Sequence, residues 1–195
     1  MNDTLKLNHP AMLQAIIAAT QARGFMMASD ELTGSLLRTL AATKPAGKLL
    51  ELGTGTGLAT AWMLDGMDAQ ATLQTVDQEE SLVAVAQQHL AHDPRVTFAT
   101  MKGEAFIEAL LAQQQTFDLI FADTWPGKFW LLEETLSLLN PGGFYVIDDL
   151  LPQPNWPADH PPKVAHLIAT LEQRADLRLT KLNWSTGLIL ATKIH

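Results

Sequence analysis

The sequence contains no cysteine, which excludes disulfide bonds, thiolate catalysis and zinc sites with cysteine ligands. It is also poor in basic residues: 13 lysines and arginines stand against 21 acidic residues, and the net charge is −8. A nucleic-acid partner requires clustered basic side chains, so we expect none. No apolar run is long enough to cross a bilayer, and no signal-peptide pattern is present. These absences predict a cytoplasmic protein with no membrane partner.

The rest of the composition is that of a globular protein. Of 195 residues, 47% are apolar and 17% are charged, which suits one domain with a sizeable core. Strand and helix signals alternate along the chain, and this favours an α/β fold with a mostly parallel sheet and helices on both faces. The predicted strands are Lys48–Leu52, Thr72–Asp77, Val96–Thr100, Phe117–Ala122, Phe144–Ile147, Leu177–Asn183 and Leu188–Lys193. The predicted helices between them are Leu58–Leu64, Gln78–Ala91, Glu104–Gln114, Phe129–Leu139 and Lys163–Arg174.

Two further helices are predicted before the first strand. Apolar residues at helical spacing predict the first over Pro10–Ala22. Ser29 can cap the second, whose first turn carries Asp30 and Glu31, where the helix dipole favours acids. We expect residues 1–44 to form a helical cap over an α/β core of residues 45–195, within a single domain.

The most informative segment is Lys48–Gly57, with the sequence K-L-L-E-L-G-T-G-T-G. A buried strand ends here, and Gly53, Gly55 and Gly57 follow at alternate positions. Glycine lets the backbone turn sharply and leaves no Cβ between chain and ligand. The helix that follows directs free N–H groups to the same place. A ligand with ribose, carboxylate or phosphate groups fits such a loop, and an ordinary tight turn between strand and helix is the alternative.

The spacing of this loop separates two classes of ligand. The dinucleotide fingerprint is G-x-G-x-x-G, but here position 58 is Leu58 and the spacing is G-x-G-x-G. With Glu51 two residues before the first glycine, the segment resembles the first motif of class I S-adenosylmethionine-dependent methyltransferases, E/D-x-G-x-G-x-G. The resemblance implies S-adenosylmethionine as the cofactor, its methionine part held by the loop. It also implies a Rossmann-like sheet of seven strands whose last strand, in a C-terminal hairpin, runs antiparallel.

The next candidate residues stand where strands end, because open α/β sheets bind ligands outside the carboxyl ends of their strands. The resemblance implies that Asp77 accepts the ribose hydroxyls; the alternative is a helix cap, since Asp77-Gln78-Glu79-Glu80 has the form of a capping box. The family often places a short G-x-A segment such as Gly103-Glu104-Ala105 against adenine; a plain helix start is the alternative. The complete predicted cofactor set is Glu51, Gly53, Thr54, Gly55, Gly57, Asp77, Gln78, Gly103, Glu104, Ala105 and Asp123.

A later segment resembles a narrower group, the catechol and caffeoyl-coenzyme A O-methyltransferases. The strand Phe117–Ala122 is followed by Asp123, and the next strand, after Pro-Gly-Gly, is followed by Asp148 and Asp149. In that group, the corresponding Asp and an Asp-Asn pair bind a divalent metal that orients and acidifies the substrate hydroxyls. Converging carboxylates repel one another and invite a hard cation. The resemblance therefore implies Mg²⁺ or another divalent cation at these three acids.

Two positions depart from that group. Its Asn is Asp149 here, and its Lys, three residues after the first acid, is replaced by Pro126. Lys128 lies two residues further on, and a turn over Trp125-Pro126-Gly127 would return it to the site. The predicted catalytic residues are accordingly Asp123 and Lys128. The alternatives are a solvated Lys128 and a local capping role for one of the paired acids, because adjacent strand residues point to opposite faces.

The predicted function is methyl transfer from S-adenosylmethionine to a small-molecule acceptor, with oxygen favoured over nitrogen by the metal-type acids. Residues Leu151–Pro162 are predicted as a lid on the substrate side, with Trp125 and Trp156 as apolar walls; a stiff surface or dimer loop is the alternative. Two other functions stay open: a nicotinamide-dependent oxidoreductase, against which the missing glycine at position 58 counts, and a catalytically inactive S-adenosylmethionine-binding protein. Relatives of this shape often dimerise, so a homodimer is the expected assembly if one forms.

Overall fold

The computed structural model describes residues 3, 7–154 and 156–195. The strands are β1 (Lys48–Leu52), β2 (Thr72–Asp77), β3 (Val96–Thr100), β4 (Phe117–Ala122), β5 (Leu139–Ile147), β6 (Leu177–Leu182) and β7 (Leu188–Lys193). The helices are α1 (Leu13–Ala22), α2 (Glu31–Ala42), α3 (Leu58–Gly66), α4 (Glu80–Leu90), α5 (Gly103–Ala112), α6 (Leu132–Ser137) and α7 (His160–Glu172). None of the helices in these ranges is both long and apolar enough to span a membrane.

The seven strands form one sheet in the order β3-β2-β1-β4-β5-β7-β6. The first five pair in parallel, while β7 runs antiparallel to both of its neighbours. The predicted Rossmann-like sheet with an antiparallel last strand is therefore confirmed. The chain moves outward from β1 to β3 and then returns to the other side of β1 at β4. This reversal opens a crevice at the carboxyl ends of β1 and β4.

Side chains of the central strands alternate between two apolar layers, one on each face of the sheet. Leu49 and Leu119 pack with α1, α2 and α3 on one face, while Leu50 and Ile120 pack with α5, α6 and α7 on the other. All four are fully buried, because helices cover both faces of the parallel strands. Such strands therefore have continuous apolar sequences. The N-terminal helices thus pack on the sheet face together with α3. Asp30, and not the predicted Ser29, caps α2 by accepting a 2.8 Å hydrogen bond from the Leu32 amide.

Several element boundaries differ from the sequence predictions, and three of the differences concern α6, β5 and α7. Helix α6 begins at Leu132 rather than Phe129, because the chain makes a tight turn before it and Leu131 has φ +56°. Strand β5 begins at Leu139, since that residue already pairs with Phe117. Helix α7 begins at His160, inside the predicted loop, with two prolines in its first turn, where a missing N–H removes no helical hydrogen bond. The turn before α6 and the start of α7 border the crevice described next.

Candidate functional site

The crevice holds three adjoining cavities at the carboxyl ends of the strands. The glycine-loop cavity, of about 600 Å³, is bounded by the loop after β1 and the end of β2. The α5 cavity, of about 450 Å³, continues from the end of β2 to the start of α5. The acid cavity, of about 710 Å³, lies beyond the ends of β4 and β5. Asp77 borders the first two cavities and Asp123 borders the first and the third, so the three form one continuous crevice.

The loop between β1 and α3 owes its shape to its glycines. Gly53, Gly55 and Gly57 have φ values of +106°, +49° and +91°, in the region that side chains rarely adopt. At Gly53 there is also no room for a side chain, because a Cβ would lie 2.7 Å from the carbonyl oxygen of Asp123. Gly57 packs on α4, where its Cβ would lie 2.8 Å from that of Ala86. Of the three predicted glycine contacts, Gly53 and Gly55 border the cavity and Gly57 supports the loop from behind.

Glu51, predicted to contact the cofactor, lies beneath this loop and is fully buried. Its Oε2 accepts hydrogen bonds from the hydroxyls of Thr60 at 2.5 Å and Thr75 at 2.6 Å. The Thr75 hydroxyl also lies 2.6 Å from that of Thr54, the predicted loop residue that does border the cavity. Burial raises the pKa of Glu51 to about 8, against the opposing effect of the two hydroxyl hydrogen bonds. Glu51 therefore connects β1, α3 and β2 under the loop.

Asp77 connects the loop to the end of β2. Its Oδ2 accepts a 2.9 Å hydrogen bond from the Gly55 amide, and its Oδ1 accepts one of 3.0 Å from the Glu79 amide. The predicted capping box is not formed, because α4 begins only at Glu80 and its N-cap residue Glu79 makes no side-chain cap. A carboxylate has about four lone-pair positions, so Asp77 retains acceptor capacity on the cavity side. The ribose role of Asp77 stays a prediction.

The α5 cavity contains most of the predicted adenine-side residues. Gln78, Gly103 and Glu104 border it, whereas Ala105 is exposed in the same turn of α5. Sequence reasoning missed Trp130, whose indole N–H donates a 2.9 Å hydrogen bond to Oε1 of Glu104 and whose ring forms part of the wall. Trp130 falls inside the predicted helix Phe129–Leu139, but α6 begins only at Leu132, and the turn before it brings the Trp130 ring to this cavity.

The acid cavity brings together the three predicted metal-type acids. Asp123 accepts a 2.9 Å hydrogen bond from the hydroxyl of Ser29. Asp148 is 1% exposed and accepts hydrogen bonds from the Asp149 amide at 2.6 Å and from the Thr186 hydroxyl. Burial raises the pKa of Asp148 to about 6, and burial together with the charge of Asp148 raises that of Asp123 well above its ordinary value.

The third acid, Asp149, faces the same cavity because the strand has ended. Strand β5 stops at Ile147, and Asp149 has φ +61°, which is uncommon for a residue with a side chain. Both of its carboxylate oxygens lie 2.9 Å from the indole nitrogen of Trp156, which donates to them. The concern that Asp148 and Asp149 would point to opposite faces therefore does not apply.

Lys128 lies in the acid cavity and is 2% exposed, so the alternative of a solvated side chain is wrong. The turn that begins at Trp125 returns the chain, with a 3.1 Å hydrogen bond from the Lys128 amide to the Trp125 carbonyl. Its Nζ donates a 2.9 Å hydrogen bond to the backbone carbonyl of Asp148. The ammonium group is thus held beside the acids.

These residues do not fit a divalent cation. Such an ion needs several oxygen ligands directed at one point, whereas Asp123, Asp148 and Asp149 are turned to separate neutral donors. Among the residues that the structure describes, no three acidic or histidine side chains are grouped so that they could hold a metal ion. The metal site implied by the resemblance thus gains no support from this geometry.

Aromatic side chains form the remaining wall of the acid cavity. The predicted apolar walls Trp125 and Trp156 both border it. His160, which lies within the predicted lid segment, is 3% exposed, and its ring centroid is 4.2 Å from that of Trp156 and 5.0 Å from that of Phe129. Its Nε2 lies 3.8 Å from Oδ2 of Asp149, and burial lowers the pKa of His160. The sequence places His160 in the segment predicted as a lid but does not distinguish it as part of this wall.

The chain was compared with known sequences and structures. Residues 50–150 match the model of a family described as a methyltransferase domain. A Mycobacterium sp. (strain JLS) protein assigned as an O-methyltransferase is 29% identical over 141 residues, which cover 68% of this chain. The match spans 63% of that relative's length, less than two thirds.

Two solved structures share the fold over nearly the whole chain. The O-methyltransferase TomG from Streptomyces achromogenes, involved in tomaymycin synthesis and solved in complex with SAM, has a TM-score of 0.85 and 22% identity, covering 99% of this chain and 94% of its own. An O-methyltransferase from Bacillus cereus in complex with SAH has a TM-score of 0.85 and 19% identity, covering 98% and 94%. At these identities the likeness shows the fold alone.

Proposed function

Because this chain belongs to the methyltransferase-domain family, we propose that it transfers a methyl group from S-adenosylmethionine to an oxygen atom of a small molecule. The observation that carries the proposal is the continuous crevice in which Asp123 borders both the glycine-loop cavity and the acid cavity. A donor in the first and an acceptor in the second would meet beside this residue. Holding two reactants in line in this way supplies much of the rate of a bimolecular reaction.

The glycine-loop and α5 cavities have the chemistry that S-adenosylmethionine requires. The loop at Gly53 and Gly55 brings bare backbone to the cavity, and Asp77 offers carboxylate oxygens beside it. Gln78 and Gly103 border the adjoining space for the adenine part. When bound, the cofactor supplies a methyl group on a positively charged sulfonium. The acidic crevice suits such a cation, and the two structural neighbours hold SAM and SAH.

The acid cavity supports a small planar acceptor. Its volume of about 710 Å³ is within the range of small-molecule sites. The aromatic rings of Trp125, Trp156 and His160 line the cavity, and aromatic walls favour a flat apolar acceptor. Lys128 and Asp123 are the proposed groups that position and activate the acceptor oxygen. A divalent cation stays a prediction of the resemblance, and no step proposed for this chain depends on it.

The two alternative functions are less well supported. The family match and the Leu58 spacing both count against a nicotinamide cofactor. The lysine position that departs from the O-methyltransferase group would favour an inactive binding protein, but Lys128 lies inside the acid cavity, which counts against that alternative. A homodimer and a cytoplasmic location stay predictions.

Calorimetry on the full chain tests the cofactor. We expect saturable binding of S-adenosylhomocysteine and none of NAD, and Asp77→Ala should weaken the former about tenfold, as expected for loss of a charged hydrogen-bond acceptor. Methyl transfer to a panel of catechols then tests the acceptor. Binding of NAD in preference to S-adenosylhomocysteine would overturn the proposal, and unchanged affinity in Asp77→Ala would exclude the ribose role.

A further inference from the structure

The acid cavity places three carboxyl groups close together, and their hydrogen bonds supply no positive charge. Asp123, Asp148 and Asp149 border one cavity, and like charges in a site of low dielectric repel strongly. Their hydrogen-bond donors are two hydroxyls, a backbone amide and an indole, all neutral. Burial and this repulsion raise the pKa values of Asp123 and Asp148, and a positive charge nearby offsets part of the repulsion.

The positive charge beside them belongs to Lys128. A lysine is almost never fully buried unless it is paired, yet this side chain is 2% exposed. Its ammonium group has three N–H donors. Among the described residues, one of them donates a 2.9 Å hydrogen bond to the backbone carbonyl of Asp148. Burial raises the pKa of Asp123 and of Asp148, and the charge of Lys128 acts against that rise. The lysine therefore acts on the carboxylates through its charge and not through direct contact, since its hydrogen bond goes to a backbone carbonyl.

The fold fixes this lysine in place from below. Gly127 has φ +86°, and a Cβ there would lie 2.5 Å from Cδ1 of Leu52 in β1. The hydroxyl of buried Tyr145 in β5 donates a hydrogen bond to the Gly127 carbonyl. The turn that carries Lys128 thus packs on β1 and is hydrogen-bonded to β5. The backbone of this turn directs the Lys128 side chain into the cavity.

We propose that the ammonium group of Lys128 takes the place of a divalent cation beside Asp123, Asp148 and Asp149, so that the acid cavity works without a bound metal ion. Removal of this charge should increase the repulsion among the acids and free the space that Lys128 occupies, so that the carboxylates can turn from their neutral donors toward a divalent cation. The consequence for catalysis rests on the proposed function, but the binding of a metal ion can be measured without turnover.

The test is Mn²⁺ binding to the purified full chain, followed by electron paramagnetic resonance and by the melting temperature. The wild-type protein should show no saturable binding and no rise of melting temperature with Mn²⁺. Lys128→Ala should acquire both, because ligand binding to the folded state raises its stability. Lys128→Ala combined with Asp148→Asn should lose them again. Lys163→Ala is the matched control, since it removes one positive charge from a neighbouring lysine that pairs with Asp159 and should gain nothing.

Saturable Mn²⁺ binding to the wild-type protein that Asp148→Asn abolishes would overturn the proposal, and this measurement stands even if Lys128→Ala does not fold. A folded Lys128→Ala that binds no Mn²⁺ would overturn it too. Methyl transfer by the wild-type enzyme should be unaffected by a chelator. Failure to methylate any acceptor would contradict the proposed function while leaving the metal-binding result intact.

Discussion

The two ends of the crevice are built in different ways. The loop of the glycine-loop cavity is held by its neighbours: it follows β1 directly, and hydrogen bonds join it to the adjacent β2 through Thr75 and Asp77. The acid cavity draws its side chains from segments far apart in the chain, from Ser29 to Thr186. Backbone conformation determines the first end, whereas the second depends on a balance of buried charges. The two ends should therefore respond differently to substitution.

The largest effect is expected where the backbone has no freedom, at Gly53. Alanine there must adopt φ +106° and place its Cβ 2.7 Å from the Asp123 carbonyl oxygen. We expect Gly53→Ala to lower the free energy of unfolding by about 3 kcal/mol and to abolish binding of S-adenosylhomocysteine. Urea unfolding and calorimetry measure the two quantities.

Gly142 provides the matched control for this substitution. It has φ +76° but no atom within 4 Å of a Cβ, so Gly142→Ala should cost only the conformational part, about 1 kcal/mol, and leave ligand binding intact. Equal destabilisation by the two substitutions would show that the contact with Asp123 does not matter.

The next effect concerns the charge balance of the acid cavity. Lys128→Met keeps the length of the side chain and removes its charge. We expect kcat for methyl transfer to fall about 100-fold, the usual loss when one electrostatic group of a site is removed, while the affinity for S-adenosylhomocysteine stays unchanged. Lys163→Met is the control and should retain activity. A parallel loss of cofactor affinity in Lys128→Met would contradict the separation of the two ends.

The glycine-loop end has a buried acid of its own, and its effect appears as a pH dependence of stability. The folded pKa of Glu51 is raised from 4.5 to about 8 by burial. Between these pH values the folded protein keeps a proton that the unfolded chain has released. The free energy of unfolding should therefore fall as the pH rises, by about 1.4 kcal/mol per pH unit for this proton.

Glu51→Gln removes that proton, so its stability should fall less steeply over the same pH range. Urea unfolding of both proteins across the range measures the difference in slope. Parallel curves would mean that Glu51 is ionised in the folded state and that the unpartnered Oε1 of its carboxyl, buried among the described residues, is satisfied in another way.

The same contrast explains what could be predicted from the sequence. The mostly parallel sheet follows from alternating strand and helix signals, and the glycine loop follows from residues adjacent to β1, so both could be predicted from local sequence. The antiparallel last strand was implied by the family resemblance. Gly57 and Glu51 were assigned to the cofactor, but the structure places them behind the loop. A motif fixes which residues form a loop and does not say which of them face the ligand.

The acid end was predicted less completely because its geometry depends on contacts between distant segments. The return of Lys128 needs the turn attached to Leu52 and Tyr145. His160 enters the wall because α7 begins there, and Ser29 bonds Asp123 because α2 is capped by the next residue. None of these contacts leaves a periodic or local pattern in the sequence.

The smallest effect compares two indoles, one at each end of the crevice. Trp156 donates to Asp149 in the acid cavity, and Trp130 donates to Glu104 in the α5 cavity. Phenylalanine keeps an aromatic wall and removes the donor, and because Asp149 is 31% exposed, water can replace the lost bond. Each substitution should therefore cost only about threefold in affinity.

The quantity that changes should differ between the two variants. Trp156→Phe should raise KM for the acceptor and leave the affinity for S-adenosylhomocysteine unchanged, whereas Trp130→Phe should do the reverse. Steady-state kinetics with a catechol acceptor and calorimetry with S-adenosylhomocysteine separate the two. If both variants weaken binding of the same ligand, the crevice does not divide into donor and acceptor ends at Asp123. The boundary between the two ends would then lie at the aromatic wall.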